Sequence, residues 1–301
     1  MPSPPDAWRA ALDAALDARV TVVIGPSDAG KTTLVAALAG ELASGGARVG
    51  VVDADLGQSE IGPPTTVGLG RVTGPIERLS EAALVALHFV GVSSPGQDIR
   101  GAVEGARRMT DRARAGGFER IVVDTTGLVT GRLGLALKRQ KIDAIDPDLV
   151  LVLERDRDCE AIVRRYDGAA RPRIVRLPAG GRPRSRNQEA RRRYRAAALE
   201  RYLADARDVS LDLKGRAVQR PADVPLWAWV GALCGLDDAR GDTLALGVVE
   251  HVLTGVVRVL APLPPADEVT GLRIGRERRD GTPLAPSLAG RPSPSVGDGR
   301  G

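Results

Sequence analysis

The 301-residue chain is 43% hydrophobic and 27% charged, proportions that suit one large α/β domain with a smaller appendage. Two cysteines (Cys159, Cys234) and two histidines (His88, His251) without CxxC spacing argue against a zinc site or a disulfide framework. No apolar run reaches membrane-spanning length and the N-terminus has no signal-peptide core, so the expectation is a cytoplasmic protein with no membrane contact. The net charge of +5 points to an anionic partner only where it is clustered.

In chain order, residues 6–18 read as an amphipathic helix with Trp8, Leu12 and Leu16 at four-residue spacing. Residues 19–24 are a β-branched run and predict a strand. A glycine loop follows, then a helix stopped by Gly45 and Gly46, then a strand over 48–52. Residues 83–91 read as a buried strand, 97–117 as a helix, 118–127 as a strand running into a loop. Residues 132–145 read as a helix cut off by Pro147, and 148–155 as a strand. The alternation over 19 to about 178 predicts a doubly wound, mostly parallel sheet. After Pro178 a glycine-rich loop feeds a basic helix. From Val209 the pattern changes to short strands. The expected organisation is a P-loop core over 1–208 that includes an arginine-rich lid at 179–207. A small β-rich C-terminal segment follows at 209–280. A Gly-, Pro- and Ser-rich tail at 281–301 is expected to be disordered.

The stretch Gly25-Pro26-Ser27-Asp28-Ala29-Gly30-Lys31-Thr32, followed by Thr33, fits GxxxxGK[ST] between a strand and a helix. Such a loop turns backbone N–H groups toward phosphate oxygens, and the helix N-terminus adds partial positive charge. Lys31 is expected on the β- and γ-phosphates and Thr32 on Mg²⁺. No Asn-Lys-x-Asp run that would read guanine is present, which leans toward ATP. A second motif, Asp53-Ala-Asp55-Leu-Gly-Gln58, follows the next strand, whose carboxyl end opens on the ligand crevice. One of the two carboxylates can hold Mg²⁺, and the other can accept a proton from an attacking hydroxyl. Pro63 and Pro64 then make "GPPTTVGLG" a rigid extended segment, poorly suited to a central strand.

Together, GPSDAGKTT, DADLGQSEIGPPTTVGLG, FVGVSSP (89–95), VDTTGLVTG (123–131) and PDLVLVLER (147–155) resemble the polynucleotide 5′-hydroxyl kinases. These are P-loop enzymes related to the kinase subunit of the pre-mRNA cleavage factor and to the pre-rRNA-processing kinases. The resemblance covers roughly residues 20–280, and the DxDxGQ run with its Pro-Pro loop is its most specific part. It implies ATP-dependent phosphorylation of the 5′-OH end of RNA or DNA. It further implies Asp53 as general base and Asp55 as support for hydrated Mg²⁺. Gln58, Pro63, Pro64 and Thr65 would lie near the acceptor strand, with Ser93 and Ser94 in a segment that clasps the Walker lysine or the phosphates. Arg186, Arg191 and Arg195 reproduce the five-then-four spacing of the family's lid arginines, which would stabilise charge on the transferred phosphoryl group. At the position after the "TxG", where relatives carry an aromatic residue, this chain has Leu128, which leaves the preference between RNA and DNA open. A nucleotide-dependent switch or assembly factor with an RNA- or protein-binding lid is the competing reading, and label transfer to a 5′-OH oligonucleotide separates the two.

Overall fold

The computed structural model describes residues 6–180, 188–262 and 266–284. Its first half is built on five parallel strands: β1 (Val20–Ile24), β2 (Val49–Ala54), β5 (Arg120–Thr125), β6 (Leu149–Glu154) and β7 (Arg173–Pro178). They lie in the order β7-β6-β1-β5-β2. The runs VTVVI, VGVVDA and LVLVLE carry no polar alternation because helices cover both faces, and β1 and β2 are buried at every position. Helices α1 (Asp6–Leu16) and α2 (Lys31–Ser44) pack on one face. Helices α3 (Ile99–Ala115) and α4 (Gly131–Ile145) pack on the other, with the short α5 (Glu160–Val163). The doubly wound core expected from the alternation is therefore present.

Between β2 and α3 the chain adds β3 (Thr66–Val72), antiparallel to β2, and β4 (Ala83–Phe89), antiparallel to β3. This corrects the reading of "GPPTTVGLG" as unsuited to a central strand. The two prolines stay in the preceding turn, and the ladder starts at Thr66, where every residue again has an N–H to donate.

The basic helix is α6 (Gln188–Tyr202). After it come β8 (Arg207–Asp212), β9 (Ala217–Gln219), β10 (Ala232–Asp237), β11 (Thr243–Leu253), β12 (Val256–Ala261) and β13 (Gly271–Arg278). The order β8-β12-β11-β10-β13 is antiparallel throughout, and β9 closes the edge in parallel with β13. Trp229, Leu236, Val249 and Val257 centre a core of its own. Strands β9 and β10 were not anticipated. Helix α6 packs Leu199 and Leu203 against Phe89, Leu233 and Leu246, so the basic helix sits over the junction of the two halves. The disordered tail expected at 281–301 falls almost wholly outside the described residues, which end at Leu284.

One ladder pair, Leu87↔Thr243, joins β4 to β11 and makes the two halves a single thirteen-stranded sheet. Side chains complete the seam. The Phe89 N–H donates to Thr243 Oγ1 (3.0 Å), the Thr243 hydroxyl donates to Asp237 (2.9 Å), and Arg273 donates both to Asp237 (2.6 Å) and to the Phe89 carbonyl (2.6 Å). The polar backbone of Phe89 is thus satisfied where the ladder has run out. Its ring enters a slot that exists because residue 235 is glycine, since a Cβ there would stand 2.7 Å from the Phe89 Cβ.

Candidate active site

The glycine loop connects β1 to α2, and Gly30 at φ +91° takes a left-handed turn that a side chain would strain. The first turn of α2 has no acidic residue and no side-chain cap, so its amide dipoles are free to meet an anion. Lys31 is buried and its Nζ donates to the Pro26 carbonyl at 2.7 Å. Burial lowers its pKa, while Asp124 and Asp55 pull in the opposite direction.

Asp124, at the end of β5, was absent from the residues singled out in the sequence. It is buried, and its Oδ2 accepts the Thr32 hydroxyl at 2.6 Å. Burial raises its pKa, and the bonds from Thr32 and the Thr125 N–H, with the charge of Lys31, oppose that rise. The signal was an apolar strand, RIVVD, ending in an acid beside the glycine loop's strand. Among the described residues no group of three or more His, Cys, Asp or Glu is arranged to hold a metal by protein ligands alone. Magnesium asks for less, usually one or two carboxylates plus phosphate oxygens and water. The hard oxygens of Thr32 and Asp124, already in contact at the first turn of α2, fit that requirement.

The two acids of the DxD motif part company. Asp53 is 1% exposed. Its Oδ2 accepts from the Glu60 N–H (2.6 Å), the Ile61 N–H (3.1 Å) and the Ser59 hydroxyl (3.2 Å), and its Oδ1 accepts from the Asp55 N–H (3.1 Å). Burial and the neighbouring Asp124 raise its pKa. Asp53 therefore ties down the turn over 55–61 and does not line the cleft. Asp55 does line it; its Oδ1 accepts the Gly57 and Gln58 N–H groups at 3.1 Å.

Two lysines missing from the sequence reading lie beneath these acids. Lys138 and Lys141 on α4 are 0% and 1% exposed. Lys138 Nζ donates to Thr125 Oγ1 (2.7 Å) and to the Thr126 carbonyl, and Lys141 Nζ donates to the Ala54 carbonyl (3.0 Å). They thus hold the carboxyl ends of β5 and β2, and Lys141 sets positive charge near Asp53, Asp55 and Asp124. Burial pushes the Lys141 ammonium down to about 8 and that of Lys138 well below the usual lysine range. Buried lysines in an otherwise helical pattern leave no trace in sequence periodicity.

A cleft of about 1540 Å³ runs from the glycine loop to α6. Ser27, Asp28, Gly30, Lys31, Thr32 and Thr33 line it together with Asp55 and Gln58. Ala190, Tyr194 and Arg201 of α6 close the wall, and Tyr194 donates to the Ser59 carbonyl (3.2 Å). Gly25, Pro26 and Ala29 complete the loop behind that surface. Pro64, Thr65 and Arg195 gather instead in a small neighbouring pocket with Glu277. Pro63 is buried, and Leu128 packs against the α3–α4 core. Ser93 is bound at its N–H (2.7 Å) and hydroxyl (2.8 Å) by Glu277 of β13, another residue the sequence did not flag, while Ser94 is exposed. Arg191 does not line the cleft, and its Nε is buried without a partner among the described residues. Arg186 lies outside the described residues.

A family model described as the P-loop of the mRNA cleavage and polyadenylation factor CLP1 matches residues 25–205. The chain is 35% identical over 197 residues to a polyribonucleotide 5′-hydroxyl-kinase of Pyrococcus furiosus, covering 65% of this chain and 54% of that protein. It is 33% identical over 186 residues to one of Methanocaldococcus jannaschii, covering 62% and 50%. It is 30% identical over 195 residues to the polyribonucleotide 5′-hydroxyl-kinase Clp1 of Xenopus tropicalis, covering 60% and 43%. The chain spans about half the length of the curated relatives it matches. A solved wild-type Clp1p–Pcf11p complex has the same fold, with a TM-score of 0.71 at 14% identity over 91% of this chain and 79% of that one. The chain belongs to the CLP1 P-loop family.

Proposed function

We propose that this member of the CLP1 P-loop family is an ATP-dependent polynucleotide 5′-hydroxyl kinase. The observation that carries the proposal is the cleft itself, which is lined both by the glycine loop and by a carboxylate, Asp55. The names of the relatives support the same reading.

The loop 25–33 binds the triphosphate, and Lys31 brings positive charge to its β- and γ-oxygens. Thr32 and Asp124 would hold Mg²⁺, which when bound neutralises charge on the phosphates. The 5′-hydroxyl oxygen attacks the γ-phosphorus in line, its proton passes to Asp55, and the bond to the β-phosphate oxygen breaks to leave ADP. Asp53 supports this chemistry from behind by holding the turn that carries Asp55 and Gln58. Arg201 is the α6 arginine that lines the cleft and would meet the negative charge there. Pro63, Pro64 and Thr65 flank the acceptor, with Ser93 beside them. The cytoplasm as its setting belongs to this proposal; among the described residues no helix is long and apolar enough to cross a membrane.

Incubation with γ-labelled ATP and matched 5′-OH RNA and DNA oligonucleotides tests the reading. Label on the oligonucleotide is expected. Release of inorganic phosphate with no label on either oligonucleotide would overturn it in favour of a nucleotide-driven switch.

A further inference from the structure

Helix α6 has two working faces. Ala190, Tyr194 and Ala198, at four-residue spacing, look into the ATP cleft. Glu189, Arg192, Arg193, Ala196 and Glu200 line a separate groove of about 540 Å³, whose other wall is Gly231 with Arg278, Arg279 and Asp280 at the end of β13. We infer that this groove is a second binding site, for the sugar-phosphate backbone of single-stranded nucleic acid several nucleotides downstream of the 5′ end. The inference rests on the kinase reading for its choice of strand.

The charges in the groove are arranged for an anion. Arg192 Nε donates to the Asp280 carbonyl (3.0 Å), and Arg278 donates to the Val230 carbonyl. A carbonyl orients a guanidinium without cancelling its charge, so both forks are held in place. Arg279 is exposed and its side chain has no partner among the described residues. Of the acids, Asp280 accepts from the Thr282 N–H (2.9 Å) and hydroxyl (2.6 Å), and its charge faces Arg192 and Arg278, so the excess of positive charge rests on Arg193 and Arg279. Glu189 meets Arg193 at 3.5 Å with both side chains about three-quarters exposed, a pair too solvated to hold much. Glu200 is the remaining carboxylate.

An exposed indole stands four residues before Gly231 of the groove wall. Trp227 is 76% exposed, whereas Trp229, two residues on, is 3% exposed in the C-terminal core. The same turn leads directly to Val230 and Gly231 at the groove wall. An indole left in solvent, this close in the chain to a basic groove, is suited to stack on a base, which suits strands of any sequence.

The groove also connects to the acceptor region. Arg192 lines both the groove and the small pocket that contains Pro64 and Thr65. Thr65 is 1% exposed with φ at +72°, and its Oγ1 has no hydrogen-bond partner among the described residues. Backbone strain at Thr65 singles out this turn beside the shared pocket as a place of functional interest.

The test compares the native protein with Arg193→Glu/Arg279→Glu and with Trp227→Ala, all surface changes. Steady-state phosphorylation is measured on a 5′-OH trinucleotide and on a 12-mer. Binding of a 5′-phosphorylated 12-mer is followed separately by fluorescence anisotropy over a salt series. For the double variant KM for the 12-mer should rise about tenfold, with kcat and the trinucleotide KM unchanged and a shallower salt dependence of 12-mer binding. Trp227→Ala should weaken 12-mer binding without altering the salt dependence. An unchanged 12-mer KM and affinity in the double variant would overturn the inference and point to a protein partner on this face; an equal rise with the trinucleotide would also overturn it. If the native protein labels neither acceptor, the kinase reading fails, and the anisotropy series alone decides the groove.

Discussion

The two halves of the sheet solve different problems. In the parallel half every strand points the same way, so all carboxyl-end loops collect at one edge. Adjacent strands β1, β5 and β2 therefore bring the glycine loop, Asp124 and the Asp53–Asp55 turn side by side. In the antiparallel half successive ends alternate between edges, and no comparable collection of charged groups arises. What that half delivers is bracing: Glu277 to Ser93, Arg273 to Phe89, and the Leu246 N–H to the Tyr202 hydroxyl (3.2 Å). The contrast teaches that chemistry and support are divided by strand direction. Substitutions should therefore separate into those that stop turnover and those that loosen the fold.

The largest effect is expected at Asp124. Asp124→Asn should lower phosphoryl transfer about a thousandfold, because it weakens the acceptor for Thr32 and removes the charge that would hold the proposed Mg²⁺. Its thermal midpoint should fall less than that of Asp53→Asn, since two donors, the Thr32 hydroxyl and the Thr125 N–H, lose a carboxylate there and four do at Asp53. A variant that unfolds early but turns over normally once folded would erase the proposed division between the halves.

Next come the paired acids. Asp55→Asn should cost about a hundredfold or more in kcat with stability unchanged, as expected for loss of a proton acceptor. Asp53→Asn should instead lower the unfolding free energy by about 2 kcal/mol, because an amide cannot serve the Glu60 and Ile61 N–H groups, the Ser59 hydroxyl and the Asp55 N–H as a carboxylate does. Urea titration and single-turnover rates on both variants check this. If Asp53→Asn is fully stable and inert while Asp55→Asn still transfers phosphate, the two roles must be exchanged.

The same contrast explains how much could be read in advance. The parallel half was legible because buried strands show as unbroken β-branched runs and because GxxxxGK[ST] and DxDxGQ are local in sequence. The direction of each aspartate was not legible. The motif reading set the two acids on opposite sides of a continuing strand, but β2 ends at Ala54, and it is the turn over 55–61 folding back on Asp53 that divides them. Lys138 and Lys141 looked like ordinary helix-surface lysines, since what buries them is the ends of β5 and β2, about 13 and 87 residues away. Strand β10, ALCGLD, was missed because a short apolar run with a glycine carries little signal by itself. Glu277 depends on a contact 184 residues distant, which no local pattern encodes.

Glu277 offers a smaller effect that joins the halves. Glu277→Ala leaves the Ser93 N–H and hydroxyl without their acceptor and should cost about 2 kcal/mol of stability. Because Ser93 stands beside the acceptor turn, KM for the oligonucleotide should rise while kcat holds. Glu277→Gln, which keeps an acceptor oxygen, should recover most of both. A fall in kcat with KM unchanged would instead place Glu277 in the chemistry and blur the line between bracing and catalysis.

The smallest expected effect is a pH dependence at the seam. His88 on β4 is 6% exposed, and Arg273 of β13 approaches its Nε2 at 3.3 Å. Burial, then Arg273 and Arg108, push the imidazole from an ordinary 6.5 down to about 3, with Glu104 opposing. Between those two values the unfolded chain binds a proton that the folded chain refuses. The stability contribution is therefore full above pH 6.5 and declines as the pH falls toward 3. From pH 7.5 to 5.5 the loss from this one group should be about 1 kcal/mol. Urea midpoints for the native chain and for His88→Gln at pH 7.5, 5.5 and 4.5 isolate it, since carboxylates elsewhere titrate equally in both. A steeper fall in the native chain assigns the proton to the seam. Parallel curves would mean that the junction of the two halves does not sense pH through His88, and that its polar part rests on the bonds of Thr243 and Arg273 to Phe89 and of Glu277 to Ser93.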